Sequence, residues 1–263
     1  MRPEKSPHLL RIQILFTSLA FAITIALSAK GVAAQITVAT AASVQFAMED
    51  LTAAYAKKTG FTAKAVYGAS GALVTQIRNG APFHVFVSAD AAFPDSLRAA
   101  GHAAGMSETY GYGALVLWTT KNLALDKDLA VLNNPAVLKI ALADVKRAPY
   151  GREALKAMKK AGVHDDVEAK LVYGENISQV SQYVLTGNAD VGFNAKSIVA
   201  SPDMKGRGSW IEVDPALYDK ITQKMVMTKA GYRDHPKQSA AFLEFMLSPA
   251  GRAILAAHGY ALP

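Results

Sequence analysis

Two short loops rich in alanine, glycine and serine lie near the start of the chain, and each directly precedes a helical pattern. The first is TVATAAS, residues 37–43, and the second is YGASGAL, residues 67–73. The first N–H groups of a helix lack an intrahelical acceptor, and the helix dipole adds positive potential at the same point. Two such loops that converge would form an uncharged site for an anion. The pattern therefore predicts capture of an oxyanion rather than chemistry on a substrate.

The serines of these loops have alternative roles that the residues alone leave open. Ser43 could cap the helix that follows it, which is the commoner use of a serine there, or direct its hydroxyl to a ligand. Ser70 lies between Gly68 and Gly71, which permit close backbone approach and a nest of N–H groups. A plain tight turn has the same composition.

A catalytic role for Ser70 is the main alternative function. The segment around it resembles the G-x-S-x-G motif of serine hydrolases, but Ala72 stands where the second glycine belongs. A hydrolase also needs a histidine and an acid nearby, and the histidines after residue 34 are scattered, at positions 84, 102, 164, 235 and 258. Their spacing fits no metal site, and the sequence lacks HExxH, P-loop and GxGxxG strings. We therefore predict a non-enzymatic protein without cofactor or metal ligands, with an exported serine hydrolase using Ser70 as the alternative.

The N-terminal segment has the three parts of a secretory signal peptide. Basic residues come first, an apolar run extends from Ile12 to about Ala29, and Val-Ala-Ala at residues 32–34 precedes Gln35. Polar residues dilute the apolar run, which argues against the alternative of a retained membrane anchor. We predict that residues 1–34 are the signal peptide and that cleavage follows Ala34.

Charge and cysteine content narrow the classes of function. Of 28 basic and 21 acidic residues, four and one lie in the first 34 positions, which leaves a net charge of about +4. The remaining basic residues form no stripe with interleaved aromatic residues, so nucleic-acid binding is not indicated. Cysteine is absent, which leaves no disulfide framework and no thiol for a lipid anchor. We expect a freely soluble periplasmic protein.

Short apolar runs alternate with helical patterns, which predicts an α/β fold. Strands are expected at 36–40, 63–67, 85–88, 115–119, 140–142, 171–173, 191–193 and 224–227. The first helix is expected to begin at Val44, to have lysines in its last turn and to stop at Gly60. Further helices are expected at 71–79, 92–100, 152–161, 177–185, 236–247 and 249–257. The pattern suits two lobes, each a mainly parallel sheet with helices on both faces. Residues 35–120 and 225–263 would form lobe 1 and residues 121–224 lobe 2, with hinge crossings near 118–121 and 223–228 and a ligand cleft between the lobes.

The second α/β block offers two further helix starts. The sequence APYG, residues 148–151, precedes one helix, and ENIS, residues 175–178, opens the next. The latter also suits a capping box, which is an adequate structural explanation by itself. If both starts face the cleft, four sets of N–H donors would surround one anion.

These motifs resemble those of the periplasmic molybdate-binding proteins of bacterial ABC-type molybdate importers. The matching stretches are ITVATAAS, GASGALVTQI, NGAPFHVFVSAD, LADVKRAPYGREAL, GENISQV and SPAGRAILAAHGY, in the family's order over nearly all of residues 36–260. The resemblance implies a type II periplasmic-binding-protein fold with a two-strand hinge. It further implies tetrahedral molybdate or tungstate as ligand and a membrane permease of an ABC transporter as partner of a monomeric binding protein.

The family's ligand positions map onto four residues of this chain. The resemblance implies hydroxyl donors from Ser43 and Ser70 and backbone donors from Tyr150 and Ile177. Beside these four, Ala42 and Gly71 are candidates for further backbone contacts.

One ligand of some family members is missing here. Those members add a tyrosine hydroxyl at the position of Ala195, and they have a small residue at the position of Tyr150. The phenol of Tyr150 is therefore expected to replace the lost hydroxyl, unless Tyr150 offers its backbone alone and its ring seals the cleft.

Selectivity depends on the protonation and size of the anion. Molybdate near neutral pH is a dianion without a proton, so every useful partner is a hydrogen-bond donor. Sulfate is equally unprotonated, so cavity size must separate it from the larger metal oxyanions, whereas tungstate is nearly the size of molybdate. We expect poor discrimination between the latter two, and a binding protein for sulfate or an organic acid is a further alternative.

Overall fold

The computed structural model describes residues 35–263, so the predicted signal peptide of residues 1–34 lies outside the described residues. The strands of this part are β1 Gln35–Ala41, β2 Thr62–Gly68, β3 Val85–Val87, β4 Ala103–Gly113, β5 Leu115–Thr119, β6 Ile140–Ala143, β7 Leu171–Gly174, β8 Val191–Ala195, β9 Ser209–Glu212 and β10 Ile221–Thr228. Its α-helices are α1 Gln45–Thr59, α2 Ser70–Arg78, α3 Ala92–Ala99, α4 Pro149–Lys160, α5 His164–Val167, α6 Ile177–Leu185, α7 Lys196–Val199, α8 Lys229–Asp234, α9 Pro236–Leu247 and α10 Pro249–Ala257.

Two five-stranded mixed sheets hold these strands. The first has the order β2-β1-β3-β10-β4 and the second the order β7-β6-β8-β5-β9. In each sheet the first three strands are parallel, and the last two pair antiparallel with their neighbours. The α/β class is confirmed, but the expected mainly parallel sheets are mixed. A parallel neighbour requires a long crossover connection, whereas β5 and β10 arrive from the other sheet.

The first helix illustrates how the sequence positions the site loops. Its buried residues, Ala47, Met48, Leu51 and Tyr55, recur every three or four positions and face the first sheet. The helix ends at Gly60, whose φ of 75° lies in the left-handed region that favours glycine. Because this face is fixed on the sheet, the N-terminal end of the helix is held at the carboxyl end of β1.

Two strands are absent from the predicted pattern. The eleven residues of β4 include three glycines and are mostly half-buried or exposed, and β9 is a short, largely exposed edge strand. Neither has the apolar run or the strict alternation on which strand prediction relies. Both strands form because a partner, β10 or β5, offers free backbone hydrogen-bonding groups along its edge.

The chain crosses between the sheets earlier than the sequence pattern suggests. It passes from β4 to β5 at Ala114 and returns between Glu212 and Ile221. The expected lobe boundaries at 120 and 224 would place β5 with the first sheet and the start of β10 with the second. Cross-strand pairing assigns β5 to β8 and β9, and assigns the whole of β10 to β3 and β4.

Helix α9 packs on the first sheet, against β1 and β10. Helices α9 and α10 contact α1, and Tyr55 meets Phe242 edge to face with ring centroids 5.2 Å apart. Within residues 35–263 no single helix is long and apolar enough to cross a membrane. Taken together, α9 and α10 have the length and apolar composition of a membrane span, but they are bent by 60° relative to each other.

Candidate functional site

The four predicted helix starts meet at one small cavity between the two sheets. Its lining residues are Ala41, Ala42, Ser43, Gly68, Ala69, Ser70, Ala89, Ala148, Pro149, Tyr150, Asn176 and Ile177. None of these twelve described residues carries a charge, and the space open to the centre of a water-sized sphere is about 10 Å³. Organic ligands occupy pockets of roughly 300–1,000 Å³. The cavity therefore suits a compact ion.

Ser43 has a buried hydroxyl that the protein itself leaves unused. The residue is 3% exposed, and its Oγ has no hydrogen-bond partner among residues 35–263. Its side chain caps neither the short 3-10 turn at 42–44 nor α1. Burying a hydroxyl without a hydrogen-bond partner destabilises a protein by about 1–3 kcal/mol. The geometry therefore favours a hydrogen bond from Ser43 to a ligand over helix capping.

Ser70 is fixed by a contact from the neighbouring loop. Its Oγ accepts a hydrogen bond from the backbone N–H of Ala89 at 3.1 Å, and the residue is 1% exposed. It does not cap α2, whose N-cap residue is Ala69. Because Oγ is the acceptor in this bond, the hydroxyl proton stays available for an acceptor in the cavity.

The first turns of α4 and α6, which follow β6 and β7 of the second sheet, also line the cavity. Tyr150 and Ile177 lie in those turns, where backbone N–H groups lack intrahelical acceptors. Asn176 caps α6 by accepting from the N–H of Gln179 at 3.2 Å. This cap leaves the N–H of Ile177 free to bind a ligand. Gly151 allows α4 to begin against the end of β6, since a Cβ there would lie 2.0 Å from the Ala143 carbonyl oxygen.

The phenol of Tyr150 belongs to a buried polar chain that the sequence did not reveal. Its oxygen accepts from Gln223 Nε2 at 3.0 Å, and Gln223 Oε1 accepts from the hydroxyl of Tyr110 at 2.5 Å. Burial raises the pKa of Tyr150 well above its usual value, so the phenol stays protonated. Among residues 35–263 its proton meets no acceptor.

These hydrogen-bonded side chains lie where the polypeptide crosses between the two sheets. The Tyr150 hydroxyl sits beside Gly113, where a Cβ would be 2.1 Å from the phenolic oxygen. Gln223 and Tyr110 carry no local motif that could have predicted their role. Both belong to strands on which the chain enters or leaves the first sheet, and their proximity to Tyr150 depends on the crossing.

Gly71 has a different partner from the one expected. Its N–H donates to the carbonyl of Arg147, between β6 and α4, at 2.8 Å, and Gly71 does not line the cavity. The Gly71 N–H is therefore engaged within the protein, whereas Ala42 lies in the cavity wall. Ala195 ends β8, is fully buried and does not line the cavity.

A catalytic Ser70 finds no support in its surroundings. The cavity lining contains no histidine or carboxylate from residues 35–263. His84 accepts from the Thr37 N–H through Nδ1, and His258 pairs with Asp50. The same part of the chain holds no group of three or more histidine or acidic side chains that could bind a metal ion.

Comparisons with known proteins agree with this architecture. The model of the family described as bacterial extracellular solute-binding protein matches residues 36–261. The molybdate-binding protein ModA of Rhodobacter capsulatus is 38% identical over 92% of this chain and 94% of that protein. ModA of Azotobacter vinelandii is 37% identical over 88% of this chain and 91% of its own length.

Solved structures show the same relationship. The periplasmic molybdate-binding protein of Azotobacter vinelandii superposes with a TM-score of 0.82 at 32% identity, over 87% of this chain and 99% of that one. The sulfate-binding protein SubI of Mycobacterium tuberculosis has a TM-score of 0.73 at 15% identity, over 86% of each chain, and shares the fold alone. This chain belongs to the family of bacterial extracellular solute-binding proteins.

Proposed function

We propose that this protein captures molybdate, and tungstate as a near-equal ligand, in the periplasm and delivers it to the permease of an ABC transporter. The observation that carries the proposal is the uncharged cavity in which Ser43 keeps an unpartnered buried hydroxyl beside three further helix starts. The curated molybdate-binding relatives support the choice of ligand. We further propose that the protein works as a soluble monomer without a lipid anchor.

Donors alone suit a dianion that has no proton to give. The hydroxyls of Ser43 and Ser70, and the backbone N–H groups of Ala42, Tyr150 and Ile177, surround the cavity without a lining carboxylate from the described residues. A hydrogen bond to a charged group contributes roughly 1.5–3 kcal/mol. Several such bonds hold the ion without a buried countercharge, and exclusion of water strengthens each of them.

The alternatives have less support. An exported hydrolase using Ser70 would need a general base, which the described cavity lining does not supply. An organic acid has a carbon skeleton beyond its carboxylate, and this small cavity is less suited to it than to a compact anion. Sulfate has the right charge and fits a donor-only site, so its exclusion depends on the fit of the larger ion.

Calorimetric titration tests the function. We expect a one-to-one complex with molybdate of micromolar affinity or tighter, about −8 kcal/mol or better. Tungstate should compete at a similar concentration, and sulfate should not compete at equal concentration. Equal competition by sulfate would reassign the ligand. Absence of heat with both metal oxyanions, combined with ester hydrolysis that Ser70→Ala abolishes, would favour the hydrolase.

The hydroxyl of Tyr150 is expected to bind the oxyanion in addition to its backbone. Tyr150→Phe keeps the ring and the N–H, so molybdate affinity should fall by about 1–2 kcal/mol if the phenolic proton is donated to the ligand. Calorimetry of Tyr150→Phe and Tyr150→Ala separates the two roles of the side chain. Normal affinity in the phenylalanine variant, with a loss only in the alanine variant, would show that the ring merely seals the cavity.

A further inference from the structure

An ion pair bridges the two lobes next to the cavity. Arg152 Nη2, in α4, lies 3.1 Å from Asp90 Oδ2, in the loop after β3. The first residue follows Tyr150 by two positions, and the second follows Ala89 directly. Each partner of the pair is therefore attached to a loop that lines the cavity, one from each lobe.

The carboxylate of this pair is built into the first lobe. Asp90 is 6% exposed, and its Oδ1 accepts from the N–H of Phe93 at 3.0 Å, which fixes the start of α3. Its other oxygen faces the second lobe and has Arg152 as its partner. A carboxylate that is held this rigidly offers Arg152 a preformed acceptor, so little ordering is lost when the pair forms.

On its other side, Arg152 continues into a chain of alternating charges. Its Nε lies 3.2 Å from Glu153 Oε1, and Lys156 lies 3.5 Å from Glu153 Oε2 and 2.5 Å from Asp219 Oδ2. Asp219 also donates its N–H to Glu153 at 2.9 Å. Asp219 belongs to the segment that returns from the second sheet to the first, so the chain of charges runs from Asp90 to the crossing.

From this arrangement we propose that Arg152 and Asp90 form an interlobe latch, a positioning pair that keeps the cavity closed around its anion. The inference rests on the proposed function. Opening the lobes separates Arg152 from Asp90, while the contacts of Asp90 with its own lobe persist. The pair also neutralises a buried carboxylate that would otherwise face a dianion only one residue beyond Ala89. The latch therefore slows release of the ligand and leaves its capture unaffected.

Two single variants and their combination test the latch. Asp90→Asn keeps the acceptor for Phe93 and removes the charge, and Arg152→Gln keeps the aliphatic stem and removes the guanidinium. Each should weaken molybdate binding about tenfold, through faster dissociation with little change in the association rate. The double variant should bind molybdate no more weakly than whichever single variant binds it less tightly. Arg152→Lys should recover part of the affinity. Effects that multiply in the double variant, or that appear in the association rate, would overturn the latch.

The matched control is an ion pair confined to one lobe. Lys196 and Glu212 lie 2.6 Å apart within the second lobe, and the Glu212 side chain is more exposed than that of Asp90. Glu212→Gln should leave both the affinity and the dissociation rate unchanged. The same loss in this control would assign the effect to net charge instead of the bridge between the lobes.

Distance measurements keep the test independent of the ligand's identity. The sequence has no cysteine, so Lys64→Cys in the first lobe and Asp166→Cys in the second give a clean pair of labelling sites. If the unsubstituted protein does not bind molybdate, the proposed function fails, and the latch is then judged by the distance distribution without ligand. A smaller closed fraction in Asp90→Asn and Arg152→Gln supports it, and an equal fraction refutes it.

Discussion

Replacing Ser43 with alanine should weaken molybdate binding by roughly 1–3 kcal/mol, the value expected for a lost hydrogen bond to a charged ligand. The free protein should be almost as stable as before, because the Ser43 hydroxyl has no partner to lose among the described residues. Affinity by calorimetry and the midpoint of urea unfolding without ligand provide the two measurements. Normal binding with earlier unfolding would reduce Ser43 to a structural residue.

Ser70→Ala should cause a similar loss of affinity with a different effect on stability. The substitution also removes the acceptor of the Ala89 N–H, so the free protein should lose about 1 kcal/mol of stability. Ser239 supplies the matched control, since its hydroxyl is also buried and unpartnered within residues 35–263 but lies in α9, away from the cavity. Ser239→Ala should bind molybdate normally.

Gly151→Ala should destabilise the protein by about 3 kcal/mol, at the upper end of the range for overpacking. Intrinsic helix propensity alone favours alanine over glycine by about 1 kcal/mol, so the sign of the change is informative. The new Cβ would lie 2.0 Å from the carbonyl oxygen and 2.6 Å from the carbonyl carbon of Ala143. Since both atoms are backbone of β6, α4 itself must move, and it carries the Tyr150 N–H with it.

Urea unfolding and molybdate titration of Gly151→Ala should both show losses. Gly111→Ala is the matched control, because its Cβ would meet the Tyr260 side chain at 3.3 Å and the Ala261 carbonyl at 3.4 Å. Those contacts require shifts of only a few tenths of an ångström. A Gly151→Ala protein as stable as the unsubstituted one would mean that α4 tolerates displacement, and that its start does not define the site.

Local elements were predictable because their signals lie within a few residues of one another. Strand β5 and helices α6, α9 and α10 have the predicted bounds, and the other predicted elements differ by a few residues at their ends. The four loops of the site could also be located, since small residues next to a helical pattern mark a helix start wherever it lies in the fold. Helix starts with free N–H groups then imply an anion.

Such local patterns do not predict contacts between segments that are distant in the sequence. The antiparallel entry of β5 and β10, and the crossing points of the chain, follow from which strand edges are free once the sheets assemble. The partner of Gly71, the polar chain from Tyr110 to Tyr150 and the bridge from Arg152 to Asp90 all depend on these crossings.

The sequence by itself determined the type of site, the order of its four loops and the residues that offer donors. Tertiary structure decided which of those donors are free. The Gly71 N–H is used by Arg147, and the Ser43 hydroxyl is used by no other described residue. A local sequence defines where an N–H or O–H can occur, but its availability depends on the acceptors that folding brings within 3 Å or so of it.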